Sequence, residues 1–122
     1  MDFENSKSRL IQELGSSVVS FEEEIILKYS GAINGSQTRP LCIAFPESED
    51  QIRKILLVSK ETGLKIYPLS KGKNFGYGDA LSTGEGHIIV DLSKMNAIVE
   101  VNPKLAFVTL QPGVTQKQLA DH

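Results

Sequence analysis

The sequence contains no tryptophan, one cysteine and two histidines, and its charges almost cancel. Each scarcity removes a class of protein. A single cysteine rules out an internal disulfide, and Cys42 lies in the apolar run LCIAF, where a buried thiol is expected rather than a reactive one. Two histidines and one cysteine, far apart in sequence, offer no metal-ligand spacing, so no metal site is expected. A formal net charge of −2 argues against nucleic acid or an anionic membrane as the main partner, because both reward a basic surface. No apolar run approaches the ~20 residues of a membrane-spanning helix. The opening MDFENSKSRL lacks the basic and apolar regions of a secretory leader. The expectation is a soluble protein of the cytoplasm.

What is present is the material of one small domain. A chain of 122 residues that is 40% apolar can bury a real core. Leu10, Ile11 and Leu14 recur at helical spacing over 7–14, with Gly15 as a stop. Ser20 opens S-F-E-E, a capping-box pattern that predicts a second helix over 21–29, and residues 30–40 are rich in turn formers and read as a loop. LCIAF then reads as a buried strand closed by Pro46. Ser48 opens S-E-D-Q, predicting a helix with Ile52, Ile55, Leu56 and Ser59 on one face and Gly63 at its end. LKIYP (64–68) follows as a second strand, so strand, helix and strand form a parallel crossover unit. HIIVD (87–91) is a third strand. Residues 97–102 and 106–111 predict a hairpin around Asn102-Pro103-Lys104-Leu105. Thr115 opens T-Q-K-Q, so a helix should begin near Gln116, and its shortness suggests the front part of a longer protein.

Between the second and third strands stands SKGKNFGYG (70–78), with Gly72, Gly76 and Gly78 among Lys71, Lys73, Asn74, Phe75 and Tyr77. Glycine accepts positive φ and admits close approach to the backbone, and successive N–H groups in mixed conformations form concave anion sites. Lysines add charge-assisted donors, and ligands of α/β sheets bind beyond the C-terminal ends of parallel strands. Two familiar phosphate patterns fail. A Walker A loop needs glycine at 67 and serine or threonine at 74, where Tyr67 and Asn74 stand. The dinucleotide fingerprint starting at Gly76 needs glycine at 81, where Leu81 stands. Composition leaves two readings open: a phosphate loop, or a glycine-rich connection with Phe75 and Tyr77 packed inward.

Three segments in order, TRPLCIAFPESEDQIRKIL, YPLSKGKNFGYGDA and HIIVDLSKMNAIVEVNPKLAFVTLQPGVTQKQL, resemble the FAD-binding domain of the vanillyl-alcohol oxidase and p-cresol methylhydroxylase flavoproteins. The specific parts are P-x-S-x-G-K-N-x-G-Y-G and M-N-x-I-x-E-V-N followed by PGVT. The resemblance implies an α+β or α/β fold: the N-terminal subdomain of a p-cresol methylhydroxylase-type FAD-binding domain, with a βαβ unit, further strands and a truncated last helix. Residues 1–37 would be a helical lead-in and 38–122 the incomplete FAD-binding domain.

The resemblance also implies a cofactor site. Residues 68–78 (Pro68, Ser70, Lys71, Gly72, Lys73, Asn74, Phe75, Gly76, Tyr77 and Gly78) would form the loop that holds the FAD pyrophosphate, mainly through backbone N–H groups. Pro112, Gly113, Val114 and Thr115 would form a second cofactor-facing turn, where a helix N-terminus offers N–H groups. In the related berberine-bridge-type flavoproteins this loop carries a histidine linked to flavin; Asn74 stands at the corresponding position, so that linkage is not available from it. His87 heads a strand and reads as structural, and no catalytic residue is assigned. The implied activity is FAD-dependent oxidation of a small molecule, phenolic or hydroxy-acid, by hydride transfer to flavin. The isolated chain is expected to be inactive, and a homo-oligomer stays open. The alternative is a truncated, non-catalytic nucleotide-binding or interaction domain of the same fold; a kinase-like hydrolase is disfavoured by the failed Walker pattern.

Overall fold

The computed structural model describes residues 2–33, 36–72 and 84–122. Its centre is a four-stranded sheet in the order β1-β4-β6-β5, made of β1 (Val19–Ser20), β4 (Cys42–Ala44), β6 (Ile88–Asp91) and β5 (Ile66–Leu69). Strands β4, β6 and β5 are mutually parallel, with Ala44 beside Val90 and Leu69 beside Asp91 in register, while β1 runs antiparallel to β4. The crossover unit is therefore present, but its two strands are not neighbours: β6, contributed later in the chain, lies between them. Periodicity specifies each strand and not its order in the sheet.

The middle strands read as continuous apolar runs because both faces are covered. Cys42, Ile43 and Ala44 are fully buried, as are Ile88 and Ile89. Helix α3 (Glu49–Thr62) supplies Ile55 and Val58 to one face, joined by Leu10 of α1 (Phe3–Leu14). Each such side chain contributes about 1.5–3 kcal/mol on burial. Leu56, expected on the inner face of α3, is exposed; the contact face is set by Ile55 and Val58. Ser48 caps α3 by accepting from the Gln51 N–H at 3.3 Å, and Gly63 ends it in the left-handed conformation at φ +74°.

Residues 1–37 are not helical throughout. Helix α1 begins four residues earlier than its apolar spacing suggests, because Asp2 caps it by accepting from the Asn5 N–H. Helix α2 is confined to Glu23–Lys28, and Ser20 does not cap it. Ser20 is held in β1 opposite Ile43, and its hydroxyl accepts from the Glu22 N–H instead. The expected loop over 30–40 contains the antiparallel strands β2 (Gly31–Ile33) and β3 (Ser36–Thr38). Strand pairing there supplies backbone partners that turn-forming residues alone do not advertise.

The expected hairpin is β7 (Ile98–Asn102) with β8 (Phe107–Leu110), a two-stranded sheet of its own. Asn102 Oδ1 accepts from the Leu105 N–H at 3.0 Å, and Ala106 takes the left-handed position at φ 54°. Val99 and Leu105 on this hairpin are 65% and 72% exposed. Helix α4 (Gln116–Ala120) starts where the sequence placed it, with Thr115 accepting from the Gln118 N–H at 3.1 Å. Among the described residues, no helix is long and apolar enough to cross a membrane.

Candidate functional site

Because β4, β5 and β6 are parallel, their C-terminal ends share one edge of the sheet. At that edge the chain leaves β5 through Ser70, Lys71 and Gly72, and leaves β6 through the turn 91–95. Pro68 sits in β5 opposite Val90; it is tolerated because β5, among the described residues, is an edge strand paired on one side only. Ser70 and Lys71 are exposed, and Gly72 is left-handed at φ +65°. A hydroxyl, an ammonium and a left-handed glycine following a parallel strand are residue types that suit an anion such as a pyrophosphate. Lys73, Asn74, Phe75, Gly76, Tyr77 and Gly78 lie outside the described residues.

The second sequence-predicted segment reaches the same edge by packing on the 91–95 turn. The Gly113 N–H donates to the Met95 carbonyl at 2.8 Å, and the Met95 N–H donates to the Leu92 carbonyl at 3.0 Å. The Leu92 N–H in turn donates to the Leu69 carbonyl at 2.8 Å, immediately before Ser70. One turn thus supports both segments. Within 112–115, however, several donors are already engaged. The Val114 N–H goes to the Gln111 carbonyl, the Gly113 N–H to Met95, and Pro112 has none to give. The expectation that this turn presents its N–H groups outward does not hold at those positions; Gly113 is buried and serves packing.

Residues that periodicity did not single out complete the edge. Asp91, 7% exposed at the end of β6, accepts from the Tyr29 hydroxyl at 2.6 Å through Oδ2 and from the Ser93 N–H at 2.9 Å through Oδ1. Burial, then this hydrogen bond, pushes the Tyr29 phenol well above its ordinary range. The Tyr29 ring meets Phe45 edge-on, with centroids 6.3 Å apart, and the Lys94 ammonium lies 5.6 Å from the Phe45 ring. An acidic residue closing an apolar strand was the available signal for Asp91; nothing local marked Tyr29. Met95 is buried and the Asn96 carbonyl accepts from the Gln118 side chain at 2.7 Å, which makes both structural.

Other hollows are less suited to the cofactor. An apolar groove of about 160 Å³ flanks Pro68, lined by Ile52, Leu56, Ile66, Val90 and Leu92. A cavity of about 450 Å³ lies at the opposite edge, among Leu27, Gln37, Thr38, Arg39 and Glu85. Its charged rim is internally engaged, since Arg39 pairs with Glu23 and its backbone N–H donates to Glu85. His87 immediately precedes β6 on that opposite edge, where its ring packs against Gly84. Among the described residues, no group of three or more His, Cys, Asp or Glu is placed to hold a metal ion.

Two segments meeting at the C-terminal ends of parallel strands occupy the edge where α/β sheets bind their ligands. The family model for an FAD binding domain matches residues 40–122, and the chain belongs to that family, with FAD as its cofactor. It is 36% identical over 106 residues to 1'-carboxy-chondrochloren decarboxylase of Chondromyces crocatus, covering 87% of this chain and 20% of that protein. It is 27% identical over 124 residues to the flavoprotein subunit of 4-cresol dehydrogenase (hydroxylating) of Pseudomonas putida, covering 99% of this chain and 24% of that one. The 4-ethylphenol oxidase of Gulosibacter chungangensis superposes with a TM-score of 0.88 at 27% identity, over 98% of this chain and 24% of the other. The chain spans a fifth to a quarter of the length of these relatives.

Proposed function

We propose that the chain supplies the first part of the FAD site of an FAD-dependent oxidoreductase acting on a small organic substrate, phenolic or hydroxy-acid in class. The observation that carries this reading is the convergence of 70–72 and 112–115 on one turn at the C-terminal edge of the parallel strands. Ser70, Lys71 and Gly72, continuing into 73–78, would receive the pyrophosphate, with backbone N–H groups providing most of the contact. Gly113 would hold its segment against the 91–95 turn rather than donate to the cofactor. When bound, the flavin would supply the redox chemistry, hydride transfer from a substrate C–H bond, while this chain's residues would hold and orient it.

The residues of this chain would bind and orient the cofactor, and none of them is assigned to the substrate. The reading is tested by purifying the protein from its full reading frame and recording visible absorbance. A yellow protein with flavin bands, or an apoprotein that gains them when FAD is supplied, is expected. Colourless protein that takes up no FAD overturns it.

A further inference from the structure

A carboxylate closing a buried strand needs a reason, because burial of a charge is costly unless it is hydrogen-bonded. Asp91 has partners on two sides. Through Oδ1 it accepts from the Ser93 N–H and shapes the turn 91–95; through Oδ2 it accepts from Tyr29, which follows helix α2. The turn it shapes is the one that receives Gly113 and whose Leu92 N–H fixes the Leu69 carbonyl. Three carbonyl oxygens of that turn, from Leu92, Ser93 and Met95, crowd the position a Gly113 side chain would take. A small change in the turn therefore moves 112–115 relative to 70–72. Phe45, at the end of β4, joins the same cluster through its contact with the Tyr29 ring.

We propose that Asp91 is a positioning residue for FAD: with Tyr29 as its anchor, it sets the separation of the two cofactor segments without touching the cofactor. This rests on the FAD reading of those segments. A strand-end carboxylate with a merely structural role would lower stability when removed and leave the bound flavin's environment unchanged. A positioning role predicts a change in affinity and in the flavin's spectrum together.

The experiment uses apoprotein of the full-length chain, titrated with FAD while flavin fluorescence is followed, with visible circular dichroism of the loaded protein and the melting temperature of the apoprotein. Failure of the wild type to bind FAD would sink the cofactor reading itself. With wild-type binding established, Asp91→Ala should raise the dissociation constant about tenfold, the equivalent of one charge-assisted hydrogen bond, and alter the flavin dichroism. Asp91→Asn, whose carbonyl can still accept from Ser93, should largely restore both. Val58→Ala, a core substitution under α3, should lower the apoprotein melting temperature while leaving the dissociation constant and dichroism as in wild type. Tyr29→Phe keeps the ring and removes only the anchor; a shift of about threefold with a dichroism change in the same direction is expected, and this variant decides the matter if Asp91→Ala does not fold. Wild-type affinity and dichroism in Asp91→Ala or Tyr29→Phe would overturn the inference. So would a Val58→Ala variant that reproduces the Asp91→Ala effects.

Discussion

A Cβ on Gly113 would stand 2.5 Å from the Leu92 carbonyl oxygen and 2.8 Å from those of Ser93 and Met95. All three obstacles are backbone atoms, so no side chain can swing aside. Gly113→Ala must push the 112–115 segment off the turn or bend the turn itself. Overpacking of this kind costs about 1–3 kcal/mol, and here it also displaces a segment tied to the edge proposed to hold the cofactor. The expected result is a lower urea midpoint together with weaker FAD binding by the full-length protein. Unchanged unfolding and unchanged affinity would mean that the segment does not pack as described.

Gly72 separates backbone shape from charge in the candidate phosphate loop. Its φ of +65° is a conformation that a β-branched side chain rarely adopts, whereas Lys71 is exposed and contributes one ammonium. Gly72→Val should therefore weaken FAD binding more than Lys71→Ala, with the lysine variant within a few-fold of wild type. Fluorescence titration at two salt concentrations checks this. A lysine effect equal to the glycine effect, and lost at high salt, would show that charge and not backbone shape dominates.

Ser48 offers a test of the helix that covers the core. Its hydroxyl accepts from the Gln51 N–H, while the Gln51 side chain accepts from the Glu47 N–H at 2.8 Å. Ser48→Ala removes a cap bond and should cost about 1 kcal/mol. Because α3 packs on the sheet through Ile55 and Val58, that loss should appear in global unfolding rather than in local fraying. Chemical denaturation followed by far-ultraviolet circular dichroism reads it; a midpoint within error of wild type would count against a cap that matters.

The sequence made the individual elements legible and left their arrangement obscure. Ser48, Gly63 and Thr115 act locally, and each does in the structure what its neighbours predict. Ser20 carries the same local signal and fails, because pairing with Ile43, far along the chain, holds it in a strand. The insertion of β6 between β4 and β5 is likewise set by long-range pairing. At the candidate site, composition left 70–78 open between a phosphate loop and a plain connection, and the family resemblance pointed to that loop and to PGVT. Neither Tyr29 nor the 91–95 turn could be read as their common support, since a bond spanning 62 residues leaves no local pattern. Nor could the motif show that the Gly113 N–H donates to the Met95 carbonyl.

Cys42 gives the fold a measurable pH dependence. It is fully buried, and burial pushes its thiol from 9.0 up to about 12. Below pH 9 the thiol keeps its proton in both folded and unfolded chains, so it adds no slope. Between about 9 and 12 the unfolded chain loses this proton while the folded chain retains it. The unfolded state then binds fewer protons, and stability falls as pH rises, by up to about 1.4 kcal/mol per pH unit from this group. Tyr29, also raised, acts in the same direction, so the contribution of Cys42 is isolated by comparison with Cys42→Ala. Urea unfolding at successive pH values should show a steeper alkaline loss in the wild type than in that variant. The folded protein should also resist thiol alkylation at pH 8 and react fully once denatured. Parallel pH slopes, or rapid alkylation of the native protein, would place the thiol closer to solvent than the structure does.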